Sequence, residues 1–288
     1  MNFQIETTSF CSLTCPECPN WMMKRERKFM TLDIWQTILR DYVVPYKSLN
    51  AHLNPPTLIP HKDGEPLLNK QLPTFLKLAS EAAPDIHIDV YTHGLLLKQE
   101  FVDFLGTLPN RCRLLVSFHF HNHDGTTNDY TQTTAVLRAA LPTWPRNVEL
   151  ILASHLVQSM TRERLEEWKA SWADVERAGK ATVHANTSIN PWTGLIDDPN
   201  CSRFTGCPYE RFDHIFFGAT GNIVACCMDL EEEIVFGNVM KDDPAAMVEA
   251  VRQFYARHWG KDRPHDLCRD CYGLPAVDLS VLQLGGVR

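Results

Sequence analysis

Cys11, Cys15 and Cys18 are spaced CxxxCxxC near the N-terminus. Three thiolates at this spacing can wrap one corner of a [4Fe–4S] cube, whose ordinary complement is four cysteines. The missing ligand leaves one iron open, and an open iron can bind a substrate. A zinc knuckle is the alternative, but zinc favours four closed ligands and no fourth lies nearby in sequence. A second set lies far downstream: Cys207, then Cys226 in the run Gly221-x4-Cys226, then the pair Cys268-Arg-Asp-Cys271. Four thiolates there would ligate a cluster fully or build a zinc ribbon, and a chain with one cluster is the better host for another. Cys112, Cys201 and Cys227 are left over. Cys201 is a possible substitute for Cys207, and Cys227 reads as a packed thiol.

Other polar residues gather at what read as strand ends. Asp63-Gly64-Glu65-Pro66 combines a glycine, which permits close backbone approach, with a carboxylate able to accept ammonium protons. His61, His93, His119, His121, His123 and His155 occupy comparable places. Ser117, His119 and His121 share strand parity, so they should face one side and line a polar pocket. His119 or His121 could then supply a base during oxidation. The basic run Lys24–Lys28 is either a solvated face or a docking patch for an acidic electron donor or a phosphate-bearing substrate.

These residues need a frame. Strand-like segments at 3–8, 57–60, 86–92, 113–120, 148–154 and 181–188 alternate with amphipathic helical stretches, one of them capped by Thr31 and another carrying Leu165, Trp168, Trp172 and Val175 up to Gly179. Such alternation predicts a parallel sheet with helical crossovers. Past residue 195 the pattern changes to a hairpin over 212–225 and a helix from Asp243-Pro244 to Gly260, with Met247, Val251, Phe254 and His258 on one face. The pattern therefore predicts an α/β fold, with six βα units over 1–195 that fall short of a full eight-unit barrel and a small hairpin-plus-helix unit over 196–288.

At this point the sequence resembles the radical S-adenosylmethionine (SAM) superfamily, whose CxxxCxxC follows the first strand of a partial barrel. The resemblance implies a partial (β/α)6 TIM-like barrel for 1–195 and a cluster domain for 196–288. It also implies that Cys11, Cys15 and Cys18 hold a [4Fe–4S] cluster, with SAM on the open iron. Gly64 and Glu65 stand in a loop like the family's Gly-Gly-Glu-Pro, which contacts the SAM amino group; Asp63 replaces the first glycine. Thr92 and His93 fall where relatives often have Thr-Asn-Gly. Ser117 matches a position that binds the SAM carboxylate or ribose, and Asn190-Pro-Trp192-Thr-Gly194 resembles an Asn-Trp-x-Gly stretch. Glu17 stands where the family often has an aromatic residue. Cys207, Cys226, Cys268 and Cys271 resemble a SPASM or shortened Twitch extension with one auxiliary [4Fe–4S] cluster.

The implied activity is reductive cleavage of SAM to a 5′-deoxyadenosyl radical that abstracts hydrogen from a small-molecule, nucleotide or peptide substrate, with a flavodoxin- or ferredoxin-like electron donor. The auxiliary cluster favours a two-electron oxidation. A redox-neutral isomerase acting on a small molecule or modified nucleobase is the runner-up. A peptide-modifying enzyme and a non-enzymatic zinc scaffold follow. A net charge of -7 argues against bulk nucleic-acid binding. No apolar run reaches the ~18 residues of a membrane span, and no signal peptide is evident, which together predict a cytoplasmic protein.

Overall fold

The computed structural model describes residues 1–52, 55–190, 192–201, 207–209, 211–259, 265, 267 and 268, with nothing on the side chains of 258 and 259. Cys271 and the expected helix stop at Gly260 lie outside the described residues.

The described chain is built on one nine-stranded sheet, ordered β6-β5-β4-β3-β2-β1-β7-β8-β9. The strands are β1 (Asn2–Ile5), β2 (Thr57–Ile59), β3 (His87–Thr92), β4 (Cys112–Phe118), β5 (Val148–His155), β6 (Thr182–Asn186), β7 (His214–Phe217), β8 (Asn222–Val224) and β9 (Val235–Asn238). The helices are α1 (Leu32–Ile38), α2 (Val44–Tyr46), α3 (Leu72–Ala82), α4 (Gln99–Thr107), α5 (Thr131–Ala140), α6 (Arg162–Ala170), α7 (Ala173–Arg177) and α8 (Pro244–Trp259). From β1 to β6 all neighbours pair in parallel, and the sheet stays open. This is the expected α/β partial barrel.

Periodicity explains how each layer packs. Along β4 the even residues are buried and the odd residues Arg113, Leu115 and Ser117 are half-buried, so the odd face looks into the barrel. The even-numbered Phe118 instead packs against Tyr130, Trp168 and Trp172 on the outer, helical side. Thr31 caps α1 by accepting from the Ile34 N–H, as read from sequence. Trp35 of α1 stacks on Phe75 of α3 with centroids 4.8 Å apart and donates its indole N–H to the Phe75 carbonyl.

Two elements depart from expectation. The helix carrying Leu165 to Val175 breaks into α6 and α7. The Ser171 hydroxyl donates to the Trp168 carbonyl at 2.6 Å and competes with the helical ladder, and Trp172 leaves helical geometry to bury its ring. In α8 the buried face is Val248, Val251 and Tyr255, with Met247 and Phe254 flanking it. The expected hairpin forms as β7 and β8, but a third strand, β9, extends it, and β7 runs parallel to β1 along the first strand's free edge. Gly221, at φ 84°, makes the β7–β8 turn possible, and a side chain there would collide with Val239.

Candidate active site

The loop after β1 carries the three cysteines. Its backbone is pinned from several sides. Asn20 donates to the Ser9 carbonyl at 3.1 Å, and Arg27 grips the Ser9 carbonyl, the Asn20 carbonyl and Asn20 Oδ1. The β4–α5 loop closes over it: Asn122 Oδ1 accepts from the Thr14 N–H at 3.1 Å, His123 N–H donates to the Thr14 carbonyl, and His123 stacks on Trp21 with centroids 3.9 Å apart. Cys11, Cys15 and Cys18 lie within electrostatic reach of one another. Burial pushes the Cys11 thiol up to about 11 and Cys18 well above its ordinary value. Three soft thiols gathered in a low-dielectric pocket suit a metal cluster, which would take them as thiolates. Cys112, the nearest other cysteine in sequence, is buried beside the Leu105 and Asn110 carbonyls and plays no part here.

Gly64 explains how the Asp63–Pro66 turn docks on this loop. At φ 76° its α-carbon sits so close that a β-carbon would lie 2.4 Å from the Thr8 carbonyl oxygen and 2.6 Å from that of Phe10. The Glu65 N–H donates to the Phe10 carbonyl at 2.7 Å. The Glu65 carboxylate braces β3: Oε1 accepts from Leu67 N–H and Thr92 Oγ1, and Oε2 accepts from His93 N–H. His93 Nδ1 accepts from Leu95 N–H, so its proton sits on Nε2, between Ser12 Oγ at 3.2 Å and Glu65 Oε2 at 3.4 Å. Burial lowers the His93 pKa and keeps the ring neutral, against the pull of Glu65.

Beyond the cysteines, His119 Nδ1 and Glu17 Oε1 are 2.5 Å apart. Burial opposes both charges, yet Cys15 and Glu17 hold the His119 pKa well above its ordinary value, and His119 holds Glu17 below its own. The pair is therefore ionic. His155 stacks parallel to His119 with centroids 5.9 Å apart, and burial pushes it down to about 4.

The second cysteine set gathers around a side chain the sequence did not single out. Cys226, Cys207, Cys227 and Cys268 all act electrostatically on the buried Tyr255 hydroxyl, which donates to the Ala225 carbonyl. Cys227 lies 3.0 Å from the Tyr209 hydroxyl and within electrostatic reach of Lys62 and Asp63. Cys201 sits in another turn, its Sγ 3.5 Å from the Ile196 carbonyl.

Residues 207–272 match the SPASM iron-sulfur cluster-binding domain. Among solved structures the chain is similar to BtrN in complex with AdoMet and 2-DOIA, at TM-score 0.65 and 20% identity over 93% of this chain and 91% of that one. It is also similar to Streptococcus suis SuiB bound to precursor peptide SuiA, at TM-score 0.62 and 12% identity over 88% of this chain and 66% of that one. Native anSMEcpe with bound AdoMet gives TM-score 0.56 and 12% identity over 88% of this chain and 82% of that one. No curated protein matches the sequence. The chain has the radical SAM fold with a SPASM-type cluster domain.

In this radical SAM framework the expected residues fall into two groups. Cys11, Cys15, Cys18, Gly64, Glu65, Thr92 and His93 are joined through the contacts above. Ser117 lies on the inner face of β4, and His119 and His121 follow it. His121 Nε2 is buried without a partner, and its ring is within reach of Glu17. Asn190 lies elsewhere: its Oδ1 accepts from Trp192 N–H and its Nδ2 is 3.5 Å from Met228 Sδ, beside the second cysteine set. The basic run divides: Lys24 and Glu26 stay exposed and Lys28 pairs with Glu26 at the surface, while its two arginines turn inward. Arg25 is buried against Glu6, Asp63 and Glu232, and Arg27 turns onto the cysteine loop. Sequence reading missed Tyr209, Tyr255 and the pairing of Glu17 with His119. The last had a signal: an acid where the resemblance expects an aromatic ring, opposite a strand end rich in histidine.

Proposed function

We propose that the chain is a radical SAM enzyme that oxidises a polar substrate by two electrons after hydrogen abstraction. When bound, the three-cysteine cluster would supply the electron that cleaves SAM to methionine and a 5′-deoxyadenosyl radical, while an auxiliary cluster on Cys207, Cys226, Cys268 and Cys271 would accept an electron from the substrate side. The reading is carried by the convergence of three N-terminal thiols beside the Gly64 turn, at the C-terminal end of a parallel sheet.

The chain's own residues have definable tasks in this reading. The Gly64–Glu65 backbone, held by Thr92 and His93, would orient the SAM amino group, with Ser117 across the barrel. The ionic Glu17–His119 pair would hold a substrate hydroxyl, and the neutral His121 would take its proton. The β4–α5 loop over Thr14 and Trp21 would limit the access of water to the cysteines. Residues 1–195 form the barrel unit and 196–288 the auxiliary unit. No described helix is long and apolar enough to cross a membrane. In this reading the enzyme works in the cytoplasm with a flavodoxin- or ferredoxin-like electron donor.

Anaerobically reconstituted protein incubated with SAM and dithionite should release 5′-deoxyadenosine, and Cys15→Ala should release none. Deuterium moving from a labelled substrate into product 5′-deoxyadenosine, without return to the substrate, separates oxidation from isomerisation. A colourless protein containing zinc alone would end this reading.

A further inference from the structure

Glu17 leaves the cysteine loop one residue before Cys18, His119 follows the last residue of β4, and His155 ends β5. The parallel register pairs Phe118 with Ser154, so the two histidines sit at equivalent places on adjacent strands, and their planes differ by 1°. One donor atom from each of Glu17, His119 and His155 lies within 4.8 Å of the others. Two atoms of this group are buried without any hydrogen bond: Glu17 Oε2 and His155 Nδ1. The Glu17 side chain is only 10% exposed. Leaving such atoms unpaired costs about 1–3 kcal/mol each, a cost that folded proteins rarely carry without a partner for them. His155 Nε2, by contrast, is held 3.1 Å from Asn186 Nδ2, which turns Nδ1 toward the group.

We propose that Glu17, His119 and His155 form a binding site for one divalent first-row metal ion, beside the N-terminal cysteine loop, where His119 also contacts Cys15, and distinct from a cluster held by the thiols themselves. One carboxylate and two imidazoles are the donor set of Zn²⁺, Fe²⁺ and Mn²⁺ sites, and three protein ligands leave coordination positions open toward the barrel for a substrate oxygen. The ion replaces the proton shared by Glu17 and His119. Asn186 then accepts the His155 Nε2–H through its amide oxygen, the outer contact that metal-ligating histidines use. The inference goes beyond the SAM reading and does not depend on it, because the three donors converge whatever the cysteines hold.

The test is anaerobic titration of the cluster-loaded protein with MnCl₂ in the absence of SAM, counting bound ions by loss of the free Mn²⁺ EPR signal. One Mn²⁺ per chain is expected, displaced by Zn²⁺. Glu17→Gln and His155→Gln should each weaken binding at least tenfold while iron and acid-labile sulfide stay at wild-type levels. Asn186→Ala touches only the outer nitrogen and should weaken binding several-fold, so the site stays testable if a ligand variant fails to load its clusters. No stoichiometric uptake would overturn the proposal. Uptake that survives all three variants would place the ion on unfilled cysteines or the surface and overturn it equally. None of these readings uses SAM cleavage, so the two proposals fail separately.

Discussion

Gly64→Ala should be among the most damaging single changes near the site, and its cost can be worked from the geometry. A left-handed φ of 76° costs a non-glycine residue roughly 1–2 kcal/mol. The added β-carbon would also meet the Thr8 oxygen at 2.4 Å and the Phe10 oxygen at 2.6 Å. Both are backbone atoms in the segment leading to Cys11, so no rotamer relieves the clash and the segment must shift, at about 1–3 kcal/mol by analogy with overpacked cores. Stretching the Glu65–Phe10 hydrogen bond adds on the order of 1 kcal/mol. The sum, roughly 3–6 kcal/mol, is a large share of a typical domain's stability. Gly125→Ala is the matched control: its φ is 83°, but nothing lies within 4 Å of the added carbon, so only the roughly 1–2 kcal/mol backbone cost should appear. Urea unfolding of the cluster-free protein, followed by circular dichroism, measures both. Iron content after reconstitution shows whether the cysteine loop has moved. Equal losses in the two variants, with full iron in Gly64→Ala, would refute the claim that this turn is pressed against the loop.

Two further outcomes follow from buried charge. Burial raises the Asp89 pKa from 3.8 to about 6, with Arg113 opposing and Glu149 assisting. The folded state thus binds a proton that the unfolded state has released between those values, so stability falls as pH rises from about 4 to 6, by up to roughly 3 kcal/mol. Asp89→Asn should therefore gain on wild type across that window in pH-dependent urea unfolding, and a pH-independent difference would contradict the assignment. Arg25→Met leaves the fully buried Glu6 carboxylate without its guanidinium partner and should cost about 3–5 kcal/mol. Adding Glu6→Gln should recover part of that loss in the same assay, and additive losses would show that the two do not act as a pair.

Much of the frame is readable from sequence because it rests on local rules. Six parallel strands fall where β-branched and apolar runs alternate with helical spacing, and Thr31 caps its helix as its type suggests. The parity of β4 correctly separates Ser117 from Phe118. What stays hidden depends on contacts distant in sequence. Nothing local marks Tyr255 as the side chain at the centre of the second cysteine set, because its role depends on residues 207, 226, 227 and 268 converging on it. Arg25 belongs to an exposed-looking basic run, and only the placement of Glu6, Asp63 and Glu232 reveals why it turns inward. Strand β9, Val235–Asn238, is short and includes a glycine, so its strand state comes from pairing with β8.

The same charged network explains how the two cysteine sets keep their relation. Glu6, at the end of β1, accepts from Arg25 and from the Ala219 N–H in the β7–β8 turn. Lys62, buried, donates to Asp63 in the Gly64 turn and to the Asp229 carbonyl just past Cys226 and Cys227. Asp229 in turn accepts from the Glu233 and Ile234 N–H groups and fixes the approach to β9, while Glu231 accepts from the Lys24 and Arg25 N–H groups of the cysteine loop. An apolar contact would permit sliding by fractions of a side chain. Charge-assisted hydrogen bonds with fixed donors and acceptors do not, because a displaced partner leaves a buried charge uncompensated. The spacing between the N-terminal thiols and the Cys226–Cys227 hairpin is thus set by directional bonds. If electrons pass between the two sets, that spacing governs the rate. Arg25 and Lys62 are thus the two cations that fix where one cysteine set sits relative to the other.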